Sequence, residues 1–240
     1  MRRLRNGKAQ VDEHFEVNCL PPILIRIDMS KTWKLEDVSG RAIEAPYTFY
    51  LPSVELIAQF QLGDLVKLIF QFEIENEQGC SAERMWVEII SRDGDQFVGR
   101  LDNVPRYIPD LHINDEVTFS SCHIIQSQRD DPVPSLPNRY VERCFVSSAV
   151  LNEQRPVHAL YREEVDAEGK ERRFSGWTLM VGDETDEYCD DPENWHFVSL
   201  GAVLNIDDGF RHLLDLPFTC EMEYVWNVQT KQFDEHPAND

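Results

Sequence analysis

The chain has 240 residues, 42% apolar and 10% aromatic, which is enough for a packed core and excludes a wholly disordered polymer. With 44 acidic against 23 basic side chains, the formal charge is −21. That argues against sequence-independent nucleic-acid binding, because phosphates demand clustered Lys and Arg.

No apolar run approaches the roughly 18 residues that a bilayer-spanning helix needs. The basic start, residues 1–8, leads into Val11-Asp12-Glu13-His14, where an export signal would be apolar. A cytoplasmic protein with no membrane partner is expected. Six scattered cysteines (Cys19, Cys80, Cys122, Cys144, Cys189, Cys220) form no C-x-x-C pair. They read as buried small hydrophobes rather than a disulfide framework.

In chain order, residues 21–27 suggest a strand. Pro52-Ser53 should cap a short helix reaching about Phe60, with Val54, Ile57, Ala58 and Phe60 on its apolar face. Gly63-Asp64 breaks it, and 65–73 reads as a strand. Residues 86–90, the turn Asp93-Gly94-Asp95 and residues 97–101 spell a β-hairpin. Residues 117–125 suggest one further strand. The turns before residues 65 and 117 echo each other, with Gly63 and Asn114 suited to a positive φ.

Three prolines fall between Pro132 and Pro137, which predicts a stiff connector. The expected domains are therefore 1–130 and 139–240, separable by proteolysis within 131–138. Divided at residue 135, the halves carry 14 basic and 22 acidic residues, then 9 and 22, so the second half is the more acidic. Beyond the connector, strands are expected at 144–146, 156–164, 177–181 and 221–228. A turn is expected at 166–170, and short helices at 199–204 and 209–214, the second capped by Asp207-Asp208 and ended by Pro217. The fold class is α+β, two small sheet-rich domains with short helices. Trp86 and Trp177 each open an apolar segment and are expected in the cores.

Catalytic signatures are absent: no P-loop, no G-x-G-x-x-G, no H-E-x-x-H and no G-x-S-x-G. Cys122-His123 would point to opposite faces of a strand. Neither a catalytic residue, nor a cofactor, nor a metal ligand is assigned. The strongest local signal is acidic: Asp183, Glu184, Asp186, Glu187, Asp190, Asp191 and Glu193 put seven carboxylates in eleven residues with no base among them. The segment lacks the register and glycine of an EF-hand. It reads either as a solvated loop or as a contact surface for Arg and Lys, with Tyr188 and Trp195 as aromatic anchors.

Several stretches of the second half resemble a bacterial family. They are Phe174-Ser175-Gly176-Trp177, Gly182-Asp183-Glu184-Thr185-Asp186-Glu187-Tyr188, Asp190-Asp191-Pro192-Glu193-Asn194, Ser199-Leu200-Gly201 and Val203-Leu204-Asn205-Ile206-Asp207. The family is the immunity family numbered thirty-three of polymorphic toxin systems, and the resemblance spans about 140–226. Over about 60–125, Gly63-Asp64-Leu65-Val66-Lys67-Leu68 and Glu83-Arg84-Met85-Trp86-Val87-Glu88 resemble a second, small bacterial domain of unknown function.

The first resemblance implies an immunity protein that binds and neutralises a cognate toxin without chemistry of its own. That toxin could be a nuclease-type effector delivered by contact or by type VI secretion. A basic toxin would suit the acidic segment. The alternatives are a regulatory or scaffold module with an unrelated cellular partner, and a hydrolase using the acidic loop with a divalent metal.

Overall fold

The computed structural model describes residues 31–74 and 76–238; the strand expected at 21–27 and Cys19 lie outside them. The architecture is α+β, two six-stranded sheets with short helices, the longest of six residues among those described.

The first sheet holds β1 (Trp33–Leu35), β2 (Leu65–Phe72), β3 (Ala82–Asp93), β4 (Gln96–Leu101), β5 (Glu116–Ser120) and β6 (Ile124–Ser127). The hairpin expected around Gly94 is β3–β4, with Gly94 at φ 59. The strand expected at 117–125 is broken by a 3-10 turn, Ser121–His123. The break matters, because β5 pairs with β4 while β6 pairs with β2. The β2–β4 meander is thereby closed on itself. Val66, Leu68, Phe70, Met85, Val87, Ile89, Phe97 and Phe119 fill the enclosed core, with the last two rings stacked at 5.4 Å.

The echoed turns share one solution. Gly63 and Asn114 take φ of 90 and 73. Asp64 accepts a hydrogen bond from the Gln61 amide at 2.8 Å, and Asp115 accepts one from the His112 amide at 2.7 Å. Ser53 caps the helix Val54–Gln59, its hydroxyl accepting from the Leu56 amide at 3.0 Å. Of the expected face, Phe60 is buried and Ile57 packs partly against the core, whereas Val54 is 79% exposed and Leu56, four residues before Phe60, points inward in its place.

The second sheet runs in the order β10-β7-β9-β8-β11-β12. Its strands are β7 (Arg143–Ser147), β8 (Ala159–Arg162), β9 (Phe174–Met180), β10 (Trp195–Ser199), β11 (Met222–Asn227) and β12 (Gln232–Pro237). Among the described strands, β7 and β9 alone pair in parallel. Sequence reading missed β10 and β12, and the turn expected at 166–170 is a short helix, Ala167–Glu171, capped by Asp166. The second helix expected after Asp207 is a 3-10 segment, Arg211–Asp215. Cys144, Val146, Leu160, Trp177, Leu179, Val203 and Phe210 make the core of this sheet. Tyr47, far upstream in the chain, is buried in the same cluster.

The proline-rich stretch is partly ordered into a helical turn, Leu136–Arg139, with Ser135 as its cap. It is also tied down. Asp131 accepts from the Tyr50 phenol at 2.7 Å, the Ser53 amide at 2.8 Å and the Ser53 hydroxyl at 2.6 Å. Burial alone would raise its carboxyl; the hydrogen bonds from Ser53, the Val133 amide and Tyr50 win and hold it at about 2.

Of the two tryptophans expected in cores, Trp177 is 2% exposed, but Trp86 stands on the outer face of β3 between inward Met85 and Val87. Its ring carries the Lys67 ammonium at 4.3 Å. The expectation for Trp86 is corrected by the phase of the strand, since successive side chains alternate faces. Trp177→Ala should cost about 3–5 kcal/mol in urea denaturation. Trp86→Ala should cost only about 0.5–1 kcal/mol, the size of an exposed cation–π contact. Equal losses would mean that the assigned phase of β3 is wrong.

Candidate functional site

Cys122 and His123 do not sit on opposite faces of a strand, because the 3-10 turn brings them together, with Sγ 3.6 Å from Nδ1. Nδ1 nonetheless already accepts the Ser120 amide hydrogen at 3.0 Å. His123 therefore serves as the back-bonding member of a capping box rather than as a free base for the thiol. Of the described cysteines only Cys144 is fully buried, and burial pushes its thiol up to about 12. Cys80, Cys122 and Cys189 are half-buried and Cys220 is exposed, which corrects the expectation that all are core residues. No group of three metal-ligating side chains occurs among the described residues.

The acidic segment follows β9 and leads into β10, and it is more structured than a loop. Thr185 caps one helical turn, Asp186–Cys189, and Asp191 caps a 3-10 turn, Pro192–Asn194. The seven carboxylates divide by job. Glu184 turns inward: it accepts from the buried Ser147 hydroxyl at 2.7 Å, the Val181 amide at 2.9 Å and the Gly182 amide at 2.7 Å. Burial would raise its carboxyl, but these hydrogen bonds hold it below the usual Glu range. Asp183 pairs with Arg155, and its carboxyl is lowered by that partner. Asp191 accepts from the Glu193 amide at 3.0 Å. That leaves Asp186, Glu187, Asp190 and Glu193 exposed, with no base within ion-pair distance among the described residues.

The local potential is correspondingly negative. Burial first, and then the charges of Glu184, Asp186 and Asp190, push the Cys189 thiol up. Both aromatic residues of the segment are half-buried and bonded within the domain. The Tyr188 phenol accepts from the Ala149 amide at 3.1 Å, and the Trp195 indole donates to the Cys189 carbonyl at 3.0 Å. They hold the acidic turn against the helix Ser148–Leu151 and the start of β10.

Sequence reading missed Ser147 and Arg155, the two residues that fix the segment. Ser147 did carry a signal, a Ser where a strand gives way to a helix; it caps Ser148–Leu151 through the Val150 amide.

The second sheet matches an immunity domain. A family model described as Immunity protein Imm33 domain covers residues 144–235, and one described as an uncharacterized protein conserved in bacteria (DUF2314) covers residues 53–126. No curated protein and no solved structure matches. The immunity-domain match takes in β7 to β11, most of β12 and the whole acidic segment, while the DUF2314 match takes in the closed sheet from the Ser53 cap to β6. Residues 45–50 and Tyr140 lie outside both.

Glu184 is the residue of the acidic segment whose removal should cost most. Glu184→Ala strands the Ser147 hydroxyl and two amides and should destabilise by about 2 kcal/mol. The folded carboxyl lies below its unfolded value, so its contribution is present above the ordinary Glu range and lost as pH falls through the lowered folded value. The loss in Glu184→Gln, measured by urea denaturation, should therefore shrink as pH drops below about 4. A loss that stays constant from pH 6 to pH 3 would contradict the assigned role.

Proposed function

We propose that this chain is an immunity protein that binds a cognate bacterial toxin and blocks it by occupancy rather than by chemistry. The observation that carries the reading is the immunity-domain match over residues 144–235, combined with an acidic turn inside that match whose outer carboxylates are unpaired. Glu184, Tyr188 and Trp195 brace the turn from within. Asp186, Glu187, Asp190 and Glu193 form its outer rim, with Asp183 and Asp191 beside them. A rigid rim of unpaired carboxylates attracts a basic surface at long range, and holding it costs the protein little reorganisation. The toxin that fits is therefore basic where it meets this rim.

The outward carboxylates should set how fast the partner arrives, and the inward aromatics should set how well the rim is held. Affinity capture from the native host identifies the candidate toxin. Expressed alone in a bacterial host it should arrest growth, and co-expression with this chain should restore growth. In binding kinetics against that toxin, Asp186→Asn with Glu187→Gln and Asp190→Asn should slow association about tenfold at low salt and flatten its salt dependence. Tyr188→Ala should show up first as lost stability of the segment. A folded triple variant with unchanged association at both salt concentrations would take the rim out of the interface.

A further inference from the structure

Residues 45–50 belong by sequence to the first half, yet they are built into the second. Residues 45–49 turn back on themselves, the Ala45 carbonyl accepting from the amides of Thr48 at 3.1 Å and Phe49 at 2.8 Å. Tyr47 projects from that turn and is 5% exposed. Its ring packs edge-on to Tyr140 at 5.7 Å, within the core cluster of Trp177, Val203 and Phe210.

Four hydrogen bonds join this tip to the second half. The Tyr47 amide donates to Asn205 Oδ1 at 3.0 Å, and the Tyr47 phenol donates to Asp208 at 2.7 Å. Arg211 donates to the phenol oxygen at 3.1 Å, and the Asn205 amide nitrogen donates to Thr48 Oγ1 at 2.7 Å. Gly201 completes the seat. A Cβ at that position would overlap the Tyr47 carbonyl oxygen, so the helix Leu200–Leu204 can approach the tip only because residue 201 has no side chain.

We propose that residues 45–50 are a latch that completes the core of the immunity domain, so that this domain depends for its stability on a segment that lies between β1 and β2 of the first sheet. The buried Tyr47 ring argues for it. Without the latch, Tyr140, Val203 and Phe210 lose an apolar cover, and Asn205, Asp208 and Arg211 lose their hydrogen bonds to the tip. The DUF2314-like sheet then acts as the carrier of the latch. Ser53 starts its first helix only three residues beyond Tyr50, and both Ser53 and Tyr50 are bonded to Asp131. The latch is thus fixed at both of its ends, by its seat in the second half and by the Asp131 junction beside the closed sheet.

The test uses the full chain with a protease recognition site inserted between Val133 and Pro134, two exposed positions. After cleavage the two pieces should co-elute at the size of the intact chain in native size-exclusion chromatography. Asn205→Ala, which removes two of the four bonds, should raise the dissociation constant of the cleaved pair at least about fivefold. Tyr47→Ala should separate the pieces altogether, and Tyr47→Phe should fall between. If Tyr47→Ala does not fold uncut, the Asn205→Ala and Tyr47→Phe pairs decide. Separation of the unmutated pieces into two folded bodies would overturn the latch. So would a cleaved pair that these substitutions leave equally tight.

Discussion

Tyr47 in the core of the second sheet is the contact on which the relation between the two halves depends. A tyrosine suits that place because it brings both an apolar ring and a polar end. The ring fills space against Tyr140, and the phenol satisfies Asp208 while accepting from Arg211. Burial and the neighbouring carboxylate raise the Tyr47 phenol, which therefore stays protonated and able to donate. Gly201 leaves the room and Asn205 reads the backbone. The proline-rich connector is then less a spacer than a second tie, since Asp131 gathers Tyr50 and Ser53 beside the latch.

The acidic segment follows the same logic on a smaller scale. A turn bearing seven carboxylates would repel itself open unless some of them were put to internal use. Glu184 faces a hydroxyl and two amides, Asp183 an arginine, and Asp191 the turn that it caps. These bonds convert part of the repulsion into local structure and leave the remaining charges fixed on the outside. A preorganised charged rim is useful to a binding protein because little ordering remains to be done at the encounter.

Legibility in the sequence follows the range of the interaction. The β3–β4 hairpin, the Ser53 cap and the turns at Gly63 and Asn114 are set by neighbours a few residues away, and all could be read. The outward phase of Trp86 could not, because both parities of β3 carry large apolar side chains; pairing with β2 and β4 decides the face. β12 escaped because an edge strand of Gln, Asp, Glu and His resembles a solvated tail. The acidic segment stood out by composition. Its division into inward and outward members depends on Ser147, Ala149 and Arg155, 28 to 39 residues upstream of their partners. Tyr47 had no local signal at all, since its hydrogen-bond partners lie more than 150 residues away.

If the latch makes the two halves one cooperative unit, their deepest amides should open together. Native-state hydrogen exchange on the intact chain, followed through rising denaturant, measures this directly. The slowest amides of β3 and β4 in the first sheet, and of β7 and β9 in the second, should converge on a single opening free energy. Two separate plateaus, with the second sheet opening independently of the first, would contradict the account.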